Sequence, residues 1–257
     1  TIPPMQNWAE LLAGGRVDIV CAVPDGGNPE SYDLPPSAMV GLSKCRLYFS
    51  CGYLGFERSW LGKLSENNPR LQVVDLSEGL ELLYGTHHHE EGHLHDGEAY
   101  PDPHIWCSPR LARRMVETMY RALTEIDPDG ASVYAENYAR IDRRFAQLDS
   151  VLTDKLRPFK GKVFAVYHPT LSYWAADYGL RQLALEPDGK SPSPQYLRAM
   201  VDSARHVGVE VVFIQQEFDP RQAETFAREV GCRTEIINPL AYTWSEEIMR
   251  IADAFIR

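Results

Sequence analysis

Six of the chain's eight histidines fall in one stretch, YGTHHHEEGHLHDGEAYPDPHIWCSP, residues 84–109: His87, His88, His89, His93, His95 and His104. The other two are His168 and His206. Imidazole is the side chain most used to bind borderline metals such as zinc. With Glu90, Glu91, Asp96 and Glu98 interleaved, the stretch attracts metal by composition alone. Its two parts differ physically. THHHEEGHLHDGE has no apolar period and two glycines, so it reads as a solvated loop that collects metal weakly, or simply as a hydrophilic surface loop. YPDPHIWCSP carries three prolines that restrict the backbone on both sides of His104. The pattern suggests one ordered site beside a low-affinity collector.

His104 in DPHIW and His168 in YHPTLSYW obey one rule: each has a neighbouring proline and an aromatic residue shortly after. Each follows an apolar or aromatic segment, at the strand-end position where open α/β sheets bind ligands. A zinc ion needs about four donors. These histidines supply two, Glu30 in a loop could supply a third, and Glu217 is the candidate fourth. Asn238 in INPL is less attractive, because a neutral amide is a poor zinc donor. Spacing alone is a weak signal, since two isolated histidines are more often core or surface residues.

The elements that must position these groups alternate. QNWAELLAG reads as a helix stopped at Gly14-Gly15, RVDIVCAVP as a strand, and PDGGNPESYDLPPS as a loop carrying Glu30, with Ser37 a candidate helix cap. CRLYFSCGY is a strand, FERSWLGKLSENN a helix and LQVVDLS a strand, which places the histidine stretch directly after a strand. SPRLARRMVETMYRALTEID is helical, with Leu111, Met115, Met119 and Leu123 at four-residue spacing. Residues 130–157 lack proline and hold one glycine, at their start. As one helix they would form a rod of ~42 Å, with Tyr134, Tyr138, Ile141, Phe145, Leu148 and Leu152 in one stripe. Strand–helix alternation resumes beyond it, in VFAVY, LRQLALEPD, VEVVFIQQEF and TEIINPL with helices between and after, one of them capped by Asp219 and ended by Gly231. The expected architecture is α/β: two lobes with mainly parallel sheets, residues 1–127 (84–101 being the histidine-rich loop) and 159–257, joined by a long helix over 128–158, with the metal site in the cleft between lobes.

Composition sets the outer limits. At 257 residues, 44% hydrophobic and 24% charged, the chain suits a soluble protein of one large or two medium domains. A net charge of −10 argues against a nucleic-acid surface, which needs clustered Lys and Arg. No run approaches the ~20 apolar residues of a membrane span. The start at Thr1, without a basic-then-apolar leader, fits an exported protein after processing, or any shortened chain. Cys21, Cys45, Cys51, Cys107 and Cys232 are odd in number and form no C-x-x-C unit, so buried small hydrophobes are the preferred reading. Cys45 and Cys51, at the ends of a strand, would lie ~20 Å apart, beyond disulfide reach.

The chain as a whole resembles the solute-binding receptors of zinc and manganese ABC transporters. The likeness rests on TIPPMQNWAELLAGGRVDIVCAVPDGGNPESYDLPPSAM, the histidine-rich loop before DPHIWCSP, VYHPTLSYWAADYGL, and VFIQQEFDPRQAETFAREVG with INPL. It implies two α/β lobes on one long helix, a metal in the cleft, no chemical step, and delivery of the ion to a membrane permease. His104 and His168 match two histidine ligands of the family. The loop that usually reads D-P-H is NPESYD here, so Glu30 stands in the histidine's place, and the family's usual Asp before P-L is Asn238. A Glu-His-His site completed by water or Glu217 is the expectation, with a receptor of poor affinity as the other outcome. The histidine-rich loop resembles that of zinc-selective members. Zinc is therefore the expected cargo and manganese the lesser one, while Glu30 pulls slightly towards manganese. The likeness also implies a monomer in the periplasm or otherwise outside the cytoplasm, with lipid anchoring open.

Other residues have plainer readings. Cys107 is a buried thiol rather than a thiolate ligand. His206 lies near a helix end. Asp102 either orients His104 or starts a turn. Trp106, Tyr167, Tyr173 and Trp174 wall the cleft or fill cores. Two rivals from other classes remain: a zinc-dependent hydrolase with Glu217 as base, which the lack of an H-E-x-x-H unit disfavours, and an adhesin or degenerate binding module.

Overall fold

The computed structural model describes residues 1–84, 101–186 and 192–257. The histidines at 87, 88, 89, 93 and 95 lie outside the described residues.

The N-terminal lobe begins with α1 (Pro3–Ala13), which buries Trp8 and Leu12. After a long loop come α2 (Pro36–Leu42), β1 (Leu47–Ser50), α3 (Gly55–Asn67) and β2 (Gln72–Asp75). The two strands pair in parallel, Leu47 opposite Gln72 and Ser50 opposite Asp75. A 3₁₀ turn (Ile105–Cys107) leads into α4 (Pro109–Ile126). The Ser108 hydroxyl caps α4 by accepting from the Leu111 amide at 3.0 Å.

The expected strand over RVDIVCAVP is not formed. Val17 and Ile19 turn inward while Arg16, Asp18 and Val20 face out, so the two-residue period holds over residues 16–20; beyond it Ala22 and Val23 are both buried. What the segment lacks is a partner. Its backbone link to the sheet is single bonds through Thr1, from the Val23 amide to Thr1 O at 3.0 Å and from the Thr1 amine to Phe49 O at 3.3 Å, too few for a ladder.

A 3₁₀ turn (Pro128–Gly130) starts the connecting element, and α5 (Ala131–Leu156) follows with 26 residues, ~39 Å at 1.5 Å per residue. Its buried stripe is Tyr134, Asn137, Ile141, Phe145, Leu148, Leu152 and Leu156. The C-terminal lobe contains β3 (Val163–Val166), α6 (Ser172–Tyr178), β4 (Arg181–Ala184), α7 (Pro194–Val207), β5 (Val211–Gln215), α8 (Arg221–Val230), β6 (Arg233–Ile237) and α9 (Trp244–Ile256). Its strands form a parallel sheet in the order β4-β3-β5-β6. Both faces are covered, so β5 is buried throughout and apolar from Val211 to Ile214. Phe164, Val166, Val211 and Phe213 face the core shared with α5 and α9. Ala165, Tyr167, Val212 and Ile214 face Val201, Ala204 and Phe226 of α7 and α8.

Helix α8 is entered through Pro220 rather than capped by Asp219. A proline at the cap leaves Asp219 one position early, where its carboxylate accepts from the Arg221 amide at 3.0 Å. The first core cluster crosses from lobe to lobe. Trp8 of α1, Phe145 of α5 and Trp244 of α9 meet with ring centroids 4.9–5.7 Å apart. The lobes are therefore joined by packed aromatic side chains as well as by the connecting helix.

Candidate metal centre

Glu30 is set by its loop and by the first turn of α3. The Glu30 amide donates to Asn28 Oδ1 at 2.9 Å, and the Phe56 amide donates to Pro29 O at 3.0 Å. The Gly55 amide donates to Glu30 Oε2 at 3.3 Å, so the positive end of the helix faces the carboxylate. A Cβ at position 55 would lie 2.2 Å from Glu30 O. Only glycine permits this approach.

His104 precedes the 3₁₀ turn. Asp102 Oδ1 accepts from its amide at 2.9 Å and pairs with its Nδ1 at 2.7 Å. The same carboxylate thus makes the turn and orients the ring, so both roles considered for Asp102 hold. The Trp106 indole ties this turn to the other lobe by donating to Pro239 O at 3.0 Å. His168 leaves the end of β3. Its Nδ1 is hydrogen-bonded to Glu186, at the end of β4. Gln215, at the end of β5, brackets the His168 backbone, accepting from its amide at 3.3 Å and donating to its carbonyl. Phe218 stacks on the ring with centroids 5.2 Å apart and planes at 19°.

With each Nδ1 held by a carboxylate, each Nε2 is left to face the cavity. The two Nε2 atoms are 3.3 Å apart. Two nitrogens bound to one tetrahedral zinc at ~2.05 Å each would lie ~3.3 Å apart. Glu30 Oε1 is 3.8 Å from His104 Nε2, and the three candidate donor atoms all lie within 4.8 Å of one another. Glu30 Oε1 is buried without a hydrogen-bond partner, and so is Glu217 Oε2. An orphaned carboxylate oxygen is costly unless a cation or proton meets it. The cavity these residues line, with Asn28, Trp106, Thr170, Phe218 and Leu240, is ≈ 10 Å³, room for one ion.

The electrostatics agree with the geometry. Burial pushes the His104 pKa down, but the charge and hydrogen bond of Asp102 outweigh it, and with Glu30 and Glu217 they hold it above the usual imidazole value. Asp102 sits below the usual carboxylate value, because His104 overcomes the opposing effect of burial. Burial pushes Glu217 up.

Among the described residues, Glu30, His104 and His168 form the single group of metal-binding side chains close enough to share an ion. Glu217 lines the same cavity but stands outside that group. Asn238 does not line it: its Oδ1 accepts from the Leu240 amide at 3.1 Å and its own amide donates to Glu247. Cys107 is fully buried, and burial holds its thiol well above the usual value. His206 is exposed in the last turn of α7. All five cysteines are free. Sequence reasoning missed Glu186. Its only signal is a carboxylate at the end of the strand beside β3, which many strands carry.

A sequence model of the family "ZnuA: Zinc-uptake complex component A periplasmic" matches residues 1–253. The chain belongs to this family. Similar ZnuA-family proteins include the high-affinity zinc uptake system protein ZnuA of Bacillus subtilis (strain 168), 25% identical over 256 residues, covering 96% of this chain and 79% of that one. The zinc-binding lipoprotein AdcA of Streptococcus pneumoniae (strain ATCC BAA-255 / R6) is 25% identical over 263 residues and covers 96% of this chain. The chain spans 50% of that relative's length. A crystal structure of ZnuA superposes with a TM-score of 0.90 at 32% identity, covering 99% of this chain and 95% of that one. A manganese-bound periplasmic metal-binding protein from candidatus liberibacter asiaticus, at 18% identity and a TM-score of 0.84, shares the fold. No helix among the described residues is long and apolar enough to cross a membrane.

Proposed function

We propose that the protein is a zinc receptor that binds one ion between its lobes, through Glu30, His104 and His168, and hands it to the permease of an ABC transporter. The convergence of two anchored imidazole Nε2 atoms, 3.3 Å apart, on the unpartnered Oε1 of Glu30 carries this reading. Glu217 is the candidate fourth donor, its free oxygen lining the same cavity. Zinc is the cargo because two of three donors are nitrogens. Manganese, which favours oxygen donors, is the lesser one. The zinc-binding names of the family's relatives support the same choice. The lobes are residues 1–127 and 159–257, joined by the long linking helix over 128–158. The protein works as a monomer outside the cytoplasm, free or held by a lipid anchor.

A zinc hydrolase would use a similar ligand set and Glu217 as base. It would also need a substrate to reach the ion, and the buried cavity between the lobes is lined by the ligand residues with Trp106, Phe218, Pro239 and Leu240, no polar group among them set to hold a substrate. Binding without chemistry is therefore the better account. The test is a calorimetric zinc titration of the parent and of the double variant His104→Ala/His168→Ala. The parent should bind one ion tightly and the variant should lose that site. A variant that keeps one tight zinc overturns the assignment.

A further inference from the structure

Leu83 and Asp102 border the histidine-rich sequence on either side, and they are bound to each other. The Asp102 amide donates to Leu83 O at 2.8 Å, and Tyr84 and Pro101 form an antiparallel bridge. Both also meet one atom from the opposite lobe. The hydroxyl of Tyr173, on α6, donates to Asp102 O at 2.8 Å and accepts from the Leu83 amide at 3.1 Å. Tyr173 is 3% exposed, and burial pushes its pKa up, so the phenol stays neutral and can donate and accept at once. The carboxylate of Asp102 in turn fixes the ring and the amide of His104.

We propose that Tyr173 is a positioning residue of the metal site: its hydroxyl clamps Leu83 to Asp102 and, through the Asp102 carboxylate, holds His104 Nε2 against His168. The inference rests on the proposed zinc site and adds a residue that touches no ion. A single atom that both donates to a carbonyl and accepts from an amide, on a rigid ring from the other lobe, does what no aliphatic side chain could. It also ties both ends of the histidine-rich sequence into the hydrogen bonds that orient a ligand.

The test compares Tyr173→Phe with Tyr178→Phe in the full chain. Tyr178 is a second phenol of α6; it bonds Asp149, away from the site. Zinc affinity is read by competition with a chelating indicator, and the imidazole nitrogens of the metal-free protein by NMR. Tyr173→Phe should weaken zinc binding about 10–100-fold, the range for losing a partner behind a ligand. It should blur the fixed Nδ1–H signal of His104 and leave that of His168 sharp. Tyr178→Phe should match the parent. In the parent, which needs no variant to fold, zinc should slow hydrogen exchange at the Leu83 and Asp102 amides, because coupling is reciprocal. Parental affinity in Tyr173→Phe, equal loss of both histidine signals, or exchange indifferent to zinc each overturns the clamp. His104→Ala is measured alongside. If it binds zinc like the parent, the site itself is wrong; if it does not and Tyr173→Phe does, the clamp alone fails.

Discussion

His104 and His168 are 64 residues apart in the chain and come from different lobes, yet their Nε2 atoms lie 3.3 Å apart. Each ring reaches that position because its other nitrogen is bonded to a carboxylate, Asp102 for one and Glu186 for the other. Replacing either carboxylate by its amide keeps an acceptor for the Nδ1–H but removes the charge that makes the ring a stronger donor. Asp102→Asn and Glu186→Gln should each weaken zinc binding about tenfold or more and leave the circular dichroism of the parent intact. Titration calorimetry measures this. Parental affinity in both variants would show that the carboxylates do not tune the site.

In the proposed site protons and metal would compete for His104, and the two effects run in opposite directions with pH. Its folded-state pKa is raised, so its pairing with Asp102 stabilises the ion-free protein fully below the unfolded value of ~6.5 and is lost as pH rises through the folded value. The Asp102 pKa is lowered, so its share is present above ~3.9 and is lost as pH falls through its folded value. The pair therefore contributes most between about pH 4 and 6.5. Relative to His104→Ala, the metal-free parent should melt higher at pH 6 than at pH 8. Zinc affinity should fall over the same step down in pH, by up to about tenfold per pH unit for one displaced proton. Thermal melts and zinc titrations at the two pH values check both. Trends that run in parallel would remove His104 from the site.

How much of this could be read from the chain depends on how local each signal is. The long helix was legible because 26 residues without proline carry one apolar stripe. The parallel sheet was legible from the alternation of strand and helix patterns, and the run VVFI is apolar on both of its faces. His104 and His168 stood out because neighbouring prolines restrict them. The failed strand at RVDIVCAVP shows the limit of periodicity: alternation records which side faces in, while a strand also needs a neighbour, and neighbours are set by tertiary packing. Glu186 was invisible for a related reason, since its role exists only because β4 lies beside β3. From the sequence, Tyr173 is expected only to wall the cleft or fill a core. It is buried as a core residue would be, but its hydroxyl bonds were beyond reach of the sequence.

Glu30 is where the chain departs from the pattern it resembles, and the departure has a measurable consequence. Its Oε1 lies 3.8 Å from His104 Nε2, where the proposed site would have it donate to the ion. A nitrogen donor there would suit zinc and disfavour manganese. Glu30→His should raise the ratio of zinc to manganese affinity, while Glu30→Gln, which removes the charge and keeps an oxygen, should weaken both ions. Competition titrations with the two metals read the ratio. A ratio unchanged in Glu30→His would mean that position 30 does not contact the ion.

The placement of Glu30 depends in turn on Gly55, and here two opposing effects can be weighed. Alanine in a helix is favoured over glycine by about 1 kcal/mol, so on propensity alone Gly55→Ala would stabilise α3. The added Cβ would lie 2.2 Å from Glu30 O, a backbone atom that cannot rotate away. Overpacking of this kind costs about 1–3 kcal/mol, and the loop carrying Glu30 must shift to relieve it. Gly62, in the same helix, has no atom within 4 Å of where its Cβ would be. Gly62→Ala should therefore gain up to about 1 kcal/mol, while Gly55→Ala should lose stability and bind zinc more weakly. Urea unfolding of the two variants, with zinc titrations alongside, separates the effects. If Gly55→Ala behaved like Gly62→Ala in both measurements, the close approach of α3 to the Glu30 loop would not exist in solution.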